Sequence, residues 1–397
     1  MAAARTALII GAGIAGPVAA MALARAGIEA TVCEAHPGTA AGTGSFLTIA
    51  PNGIDALRAI GAEERGLATG FPTPSIELRG PAGKPLGVTR TGLPDSTSRT
   101  CKRADLYQAL YAEAVRRGIA IEHGKRLTKA WQDREGVHAE FGDGSAASAD
   151  VLIGADGIHS ETRALIDPDA PSPRYTGLIN LGGYTLGIDT GAKPGSYTMI
   201  FGRRAFFGYV PAPSGEVWWF ANVPRAGEPA PGEIETVSRA QWKRTLAGLY
   251  AGDAGPAARL VDATDPAGMS QATPIHYIHP LPAWYDRRMI VIGDAAHAPT
   301  PTSGQGASLS MEDGVMLAQC LRDLSDPERA FARFEALRRP RVESIVRQAA
   351  RVNSSKVPGP VTRALLPVIM KMVANSKQAT APYRHHIDWD MAIPAGS

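Results

Sequence analysis

Hydrophobic positions along this chain first gather into short unbroken runs, each closed by glycine. Thr6–Ile10 (TALII) is such a run, the pattern of a strand buried on both faces of a parallel sheet. A glycine turn follows, and the alanine-rich stretch 17–26 predicts a closely packed helix, with Pro17 tolerated in its first turn. Gly27 ends that helix, and 29–33, closing at Glu34, predicts a second strand. The result is a strand–helix–strand opening of the dinucleotide-binding type. Buried runs recur at 150–154 and 289–293, and helices are predicted over 103–117 and 309–324. Between about 175 and 224 the period changes to aromatic and β-branched alternation (TMIFG, AFFGYVP, VWWFANVP), which predicts an antiparallel sheet. The proline-rich stretch 72–97 adds weakly alternating β-structure. From about 330 to 377 the pattern is helical, with a kink expected at Pro340 and breaks at Pro358 and Pro360.

These elements predict an α/β fold in which a Rossmann-like unit carries an inserted mixed or antiparallel β-sheet unit and ends in C-terminal helices. The expected division places 1–71, 98–174 and 272–350 in the dinucleotide unit. Residues 72–97 and 175–271 form the sheet unit, and 351–397 a helical C-terminal segment.

Composition narrows the function. With 397 residues, 44% hydrophobic and 20% charged, the chain can bury more than one sizeable core. A net charge of +3, with the basic residues dispersed, argues against a nucleic-acid binder. Cys33, Cys101 and Cys320 are three scattered thiols without CxxC spacing, which speaks against a disulfide framework or zinc cluster and suits a reducing cytoplasm. His276 and His279 form H-x-x-H, but on a strand-like stretch they point apart, so no metal site is expected. The apolar N-terminus carries glycines at fixed spacing and continues into a strand, unlike a secretion signal. The stretch VTRALLPVIMKMVANSK has an apolar face interrupted by Pro367 and Lys371, which favours packing on the protein over stable membrane insertion.

Three stretches carry the chemistry. Gly11, Gly13 and Gly16 form G-x-G-x-x-G between the first strand and helix, with Ala15 inside the turn. Gly11 permits the turn, Gly13 lets backbone approach a pyrophosphate, and Gly16 lets helix and strand pack closely. Glu34 stands where it can bind both hydroxyls of an adenosine ribose. IGADGIHSETR sets Asp156 and Gly157 after a strand, with Arg163 downstream. IGDAAHAPTPTSGQGASLSMEDG sets Gly293 and Asp294 after a strand, then Pro301, Gly304, Gln305 and Gly306, with Glu312 and Asp313 on the following helix.

In this order the three stretches resemble the class A FAD-dependent monooxygenases, the para-hydroxybenzoate hydroxylase superfamily, from residue 1 to about 350. The resemblance implies an FAD domain of the glutathione-reductase type and FAD as cofactor, with NADPH or NADH as a transient electron donor. It implies that Asp294 accepts a hydrogen bond from a ribityl hydroxyl, and that Pro301 and Gly304 position the reacting edge of the flavin through their backbone. Gln305 and Gly306 open a helix whose N–H groups face the flavin pyrimidine ring. Arg103, in TCKRADLYQAL, matches the arginine that reaches FAD, and Asp156 belongs to the motif serving FAD and the nicotinamide nucleotide. His297 is read as a structural hydrogen-bonding residue. A flavin C4a-hydroperoxide would pass one atom of O2 to an electron-rich carbon.

Tyr184, Phe201, Phe207, Tyr209, Trp219 and Phe220 are the candidate pocket walls, about half of which strand alternation turns inward. They suggest hydroxylation or epoxidation of a hydrophobic, aromatic or polycyclic small molecule. Arg203 or Arg204 could hold a substrate carboxylate, or could simply occupy a turn. Where many relatives carry arginine after Glu34, this chain has Ala35 and His36, and the loop after Gly38 lacks the arginine that several relatives use to control flavin position. An FAD-dependent dehydrogenase or oxidase on the same scaffold is the alternative, with a non-catalytic FAD-binding protein third. Monomer and homodimer are both left open.

Overall fold

Runs too apolar to face water on either side need neighbours on both, and the three glycine-closed runs supply them to one another. In the computed structural model, which describes residues 3–38, 45–278, 280–353 and 380–394, they lie side by side in a six-stranded sheet. Its order is Tyr285–Asp286, Met289–Val291, Val151–Gly154, Thr6–Ile10, Glu29–Glu34 and Ala120–His123. All neighbours are parallel except the short first pair. The strands that end at Ile10, Gly154 and Val291 therefore deliver the three motif loops to one edge of the sheet, where a doubly wound fold binds its ligand. The fingerprint helix Ala15–Arg25 packs against Gly306–Asp323, with alanines and glycines at the crossing. A Cβ on Gly314 would meet the backbone nitrogen of Ala19 at 2.8 Å.

The alternating stretch forms a seven-stranded sheet in the order Thr273–Tyr277, Arg174–Thr185, Val217–Pro224, Phe206–Pro211, Ser196–Phe201, Ser75–Arg79 and Pro85–Arg90. It is mixed, because Ser75–Arg79 enters parallel to Ser196–Phe201. Strand Thr273–Tyr277 bonds to Arg174–Thr185 in this sheet, so the boundary expected before residue 272 falls several residues later. Two three-stranded sheets complete the β-structure: Leu127–Gln132, Val137–Phe141 and Ala146–Ala149, and Phe46–Ile49, Arg99–Lys102 and Gly70–Pro72.

Period-2 alternation gives the large sheet two unlike faces. One is covered by helices Arg239–Tyr250 and Ala257–Ala263, the first begun by a capping box between Ser238 and Gln241. Phe207, Tyr209 and Trp219 point to this side. Trp219 stacks on Phe207 at 5.5 Å between centroids and donates its indole N–H to Thr264 Oγ1 at 2.9 Å. These three of the six expected pocket residues are therefore helix-covered core. Tyr184, Phe201 and Phe220 point to the other side, joined there by Trp218.

Long helix Pro327–Asn353 carries Pro340 in its interior. The apolar stretch 361–377, the loop residues 39–44 and His279 lie outside the described residues. Residues 380–394, expected to be helical, form a single 3-10 turn at Ala381–Arg384 and then run extended across the molecule. Their anchor is Trp389, sandwiched between the guanidinium carbons of Arg25 and Arg322 at 4.9 and 5.1 Å from its ring centre. Among the described residues, no helix is long and apolar enough to cross a membrane.

Replacing Trp219 by Ala empties a fully buried site and is expected to lower unfolding free energy by about 3–5 kcal/mol. Urea unfolding measures this, and parent-like stability would place Trp219 outside the core.

Candidate functional site

Gly11 takes φ +104°, and a Cβ there would lie 2.5 Å from the carbonyl oxygen of Ala155, so the first motif loop closes against the second. A Cβ on Gly16 would lie 2.0 Å from the carbonyl oxygen of Gly11, which fixes the helix start against the strand end. Gly13 differs: a Cβ there meets nothing within 4 Å, so its glycine leaves room on the open side of the turn. Glu34 sits at the rim of that space. Its Oε2 accepts the Ala12 N–H at 2.8 Å and its Oε1 the His36 N–H at 2.9 Å, which aims the carboxylate and leaves each oxygen a further lone pair.

The second loop turns inward. Asp156 accepts from the Ser160 hydroxyl at 2.5 Å, the Thr162 hydroxyl at 2.9 Å and the Thr162 N–H at 3.0 Å. Its carboxylate is taken up in shaping its own loop, and it is the backbone at Gly157, φ +79° and open, that faces outward. Arg163, buried, donates to the carbonyls of Ile158 at 2.8 Å and Ala295 at 3.0 Å and so ties this loop to the third.

In the third loop Gly293 adopts φ 60°, ψ −138°, open only to glycine, and begins the single helical turn Asp294–His297. Asp294 is surrounded by protein, yet its side chain keeps access to solvent. Burial pushes its carboxyl above the usual aspartate value, His297 and Arg103 oppose that, and Asp313 adds to it. Arg103, the first residue of helix Arg103–Arg116, thus acts electrostatically on Asp294. The turn Pro301–Ser303 and left-handed Gly304, again without neighbours for a Cβ, lead to helix Gly306–Asp323. Gln305 is buried and points inward, its Oε1 accepting from Asn52 Nδ2 at 2.9 Å, so its side chain braces the loop from behind.

Beneath the loop lies a network whose connections sequence reasoning did not assemble. Glu312, Asp313 and Arg338 are each 0% exposed. Asp313 Oδ2 accepts the Gly293 N–H at 2.9 Å and pairs with His297 Nε2 at 2.5 Å, holding both ends of the turn that presents Asp294. Asp313 Oδ1 accepts Arg338 Nε at 2.7 Å, and the same guanidinium pairs with Glu312. Glu312 also binds Arg341 Nε at 2.9 Å and Asn52 Nδ2 at 2.6 Å. Burial works against both carboxylates, but Arg338 and Arg341 more than offset it at Glu312, and His297 and Arg338 at Asp313, bringing each to about 2. The sequence signal was the Glu312-Asp313 pair itself, adjacent charged residues in the middle of a helix that is buried along most of its length.

The other face of the large sheet packs toward strand Phe46–Ile49 and Phe71. Phe46 lies 5.6 Å from Trp218, 6.1 Å from Phe220, 6.3 Å from Tyr197 and 6.4 Å from Tyr184, centroid to centroid, and Phe71 lies 5.1 Å from Trp218. The Tyr184 hydroxyl donates to the Ser45 carbonyl at 2.9 Å, the same carbonyl that accepts the Arg103 N–H at 3.1 Å. Lys102 closes this aromatic box, 4.5 Å from the Tyr184 ring centre and 3.3 Å from Glu216 Oε2, which also accepts the Trp218 indole N–H at 2.6 Å. Arg203 and Arg204 are exposed elsewhere; Arg203 takes Asp253 through its backbone N–H at 3.2 Å, and Arg204 donates to the Leu249 carbonyl.

A cradle open at Gly13, Gly157 and Gly304, with Asp294 and Arg103 facing its interior, fits a flavin dinucleotide. Residues 4–349 match the family model described as the FAD binding domain. The chain belongs to that family. Among its relatives, the FAD-dependent urate hydroxylase of Klebsiella pneumoniae is 33% identical over 355 residues, covering 86% of this chain and 88% of that protein. Aurachin C monooxygenase/isomerase of Stigmatella aurantiaca is 29% identical over 355 residues, covering 87% and 88%. A crystal structure of a Klebsiella pneumoniae protein with FAD and uric acid superposes with a TM-score of 0.82 at 28% identity, covering 94% of each chain. The chain is accordingly a flavoprotein monooxygenase of the class A aromatic hydroxylase family, with FAD as its cofactor.

Asp294→Ala is expected to purify with little flavin, read from the ratio of flavin to protein absorbance; full occupancy would remove Asp294 from the site. If the ionised carboxylate is the form that binds, FAD affinity is complete at neutral pH. It falls as pH drops through a point above the ordinary aspartate value, because the buried group is the easier to protonate. FAD titrations across acid pH measure it, and a pH-independent constant would contradict it.

Proposed function

We propose that this enzyme consumes NADH or NADPH and hydroxylates, or epoxidises, a neutral, hydrophobic aromatic or polycyclic molecule held in the aromatic box. When bound and reduced by the nicotinamide donor, FAD would supply the chemistry that places one atom of O2 on the substrate and releases the other as water. The residues of the chain do the rest. Pro301 and Gly304 set the flavin edge through their backbone, and the N-terminus of helix Gly306–Asp323 offers N–H groups where negative charge collects on reduction. Asp294 and Arg103 would hold and orient the cofactor between them. The box excludes water, which keeps oxygen on its path to substrate instead of leaving as hydrogen peroxide.

The observation that carries the reading is the box itself: Phe46, Phe71, Tyr197, Trp218 and Phe220 present ring faces beside the strand that leads to Arg103. Tilted and edge-on rings of this kind favour a planar aromatic partner. The charge of Lys102 is balanced by Glu216, and Arg203 and Arg204 turn elsewhere, which favours a substrate without a carboxylate. The relatives support a ring substrate by their names: urate, 6-hydroxynicotinate, 3-amino-4-hydroxybenzoate and aurachin C.

A screen of neutral and carboxylated ring compounds, following stimulated NADH and NADPH oxidation under labelled O2, tests the proposal. The expected result is a neutral aryl product carrying one labelled oxygen. Oxidised product without label would instead identify a dehydrogenase or oxidase on this scaffold. With that substrate, Trp218→Ala is expected to raise the fraction of NAD(P)H oxidised to hydrogen peroxide, measured against product formed; unchanged coupling would take Trp218 out of the pocket wall.

A further inference from the structure

The fingerprint, the Asp156 loop and the Asp294 loop form the cradle described above. They leave unexplained why a fully buried arginine from helix Pro327–Asn353, outside all three, is placed beneath it. Arg338 has two carboxylate partners on successive residues of helix Gly306–Asp323, and each leads to a different end of the same loop. Through Asp313 it reaches the Gly293 N–H and His297, which bracket Asp294. Through Glu312 it reaches Asn52, whose amide at once holds Glu312 at 2.6 Å and Gln305 at 2.9 Å, behind Gly304 and Gly306. The third donor of the guanidinium goes to the Leu309 carbonyl at 3.3 Å, in the first turn of that helix. The rigid fork of one side chain thus spans the loop from the ribityl-facing aspartate to the turn at the flavin edge.

We infer that Arg338 is a positioning residue for FAD, setting both ends of the Asp294–Gly306 cradle through Asp313 and Glu312. The role is electrostatic as well as geometric. Asp313 is a second carboxylate acting on Asp294, and the charges that face Asp294 are His297 in its own turn, Arg103 from helix Arg103–Arg116 and Asp313 from helix Gly306–Asp323. Arg338 neutralises Asp313, so that Asp313 can accept two hydrogen bonds from the loop without discouraging the ionised form of Asp294. An apolar residue of similar volume could fill the same space, but it could not compensate that charge. Loss of the cation should therefore make Asp294 easier to protonate, and FAD should be released at a higher pH than in the parent.

The test compares Arg338→Met with Arg338→Lys in the full chain, deflavinated and titrated with FAD by flavin fluorescence across acid to neutral pH. Far-UV circular dichroism establishes that each variant is folded. For Arg338→Met, the FAD dissociation constant at neutral pH is expected to rise about tenfold, the equivalent of one charge-assisted hydrogen bond. The pH at which affinity is lost should move upward. Arg338→Lys restores the charge but not the fork, so that pH should return to the parent value while affinity stays partly weakened. A folded Arg338→Met with parent affinity and parent pH dependence overturns the inference. So does equal weakening of both variants at every pH, which would reduce Arg338 to packing. Should Arg338→Met fail to fold, Arg338→Lys decides alone: weakened FAD binding at an unmoved pH dependence supports the role, and parent affinity overturns it.

Discussion

The fold around the flavin depends on one interaction, the buried pairing of Arg338 with Glu312 and Asp313 beneath the cofactor loop. Charges without access to water are tolerated only when paired and fully hydrogen-bonded, and removing one partner from such a set costs about 3–5 kcal/mol. The arrangement meets that condition closely. Both carboxylates are brought to about 2 in spite of burial, Glu312 by Arg338 and Arg341 and Asp313 by His297 and Arg338, and their oxygens also accept from Asn52 and Gly293. A pair of this kind contributes little net stability over a well-packed apolar core. What it adds is a fixed geometry, and the loop so fixed is the one that carries Asp294.

From that anchor the architecture divides into a cradle and a box. The parallel sheet brings three loops to one edge and, through glycines at 13, 157 and 304, leaves their backbone uncovered. The large sheet turns one aromatic face away under two helices and the other toward Phe46 and Arg99–Lys102. Helix-start Arg103 belongs to both halves: its N–H is held by Ser45, whose carbonyl also takes the Tyr184 hydroxyl, and its charge reaches Asp294. The C-terminal strap fastens the same assembly from outside. Arg341 donates to the Pro382 carbonyl at 2.7 Å while holding Glu312, and Trp389 bridges the fingerprint helix and the Asp313 helix.

Much of the cradle was legible in the sequence because its motifs are local. Gly11, Gly16 and Gly293 stand where backbone geometry or close approach admits no side chain, and each is readable from its strand–turn–helix context. What escaped was non-local. Asn52 and Glu312 meet across 260 residues, and no spacing announces that contact. Asp156 was assigned from its motif, but the Ser and Thr that consume its oxygens lie within six residues and could have been noticed. On the large sheet, alternation gave the period but not the phase: Trp218 and Trp219 are equivalent on paper, and only the helices over residues 239–263 decide which is core. Residues 380–394 read as part of a helical tail because their binding surface is distant in the chain.

The central claim is that the ionic anchor holds FAD with its reacting edge toward the aromatic box. A crystal structure of the FAD-loaded enzyme with a neutral bicyclic phenol tests it most directly. The expected result is the isoalloxazine edge at Pro301 and Gly304, Asp294 bonded to the ribityl chain, and the phenol ring among Phe46, Trp218 and Phe220. A flavin edge turned away from that box, or a ring bound on the helix-covered side beside Trp219, would contradict it.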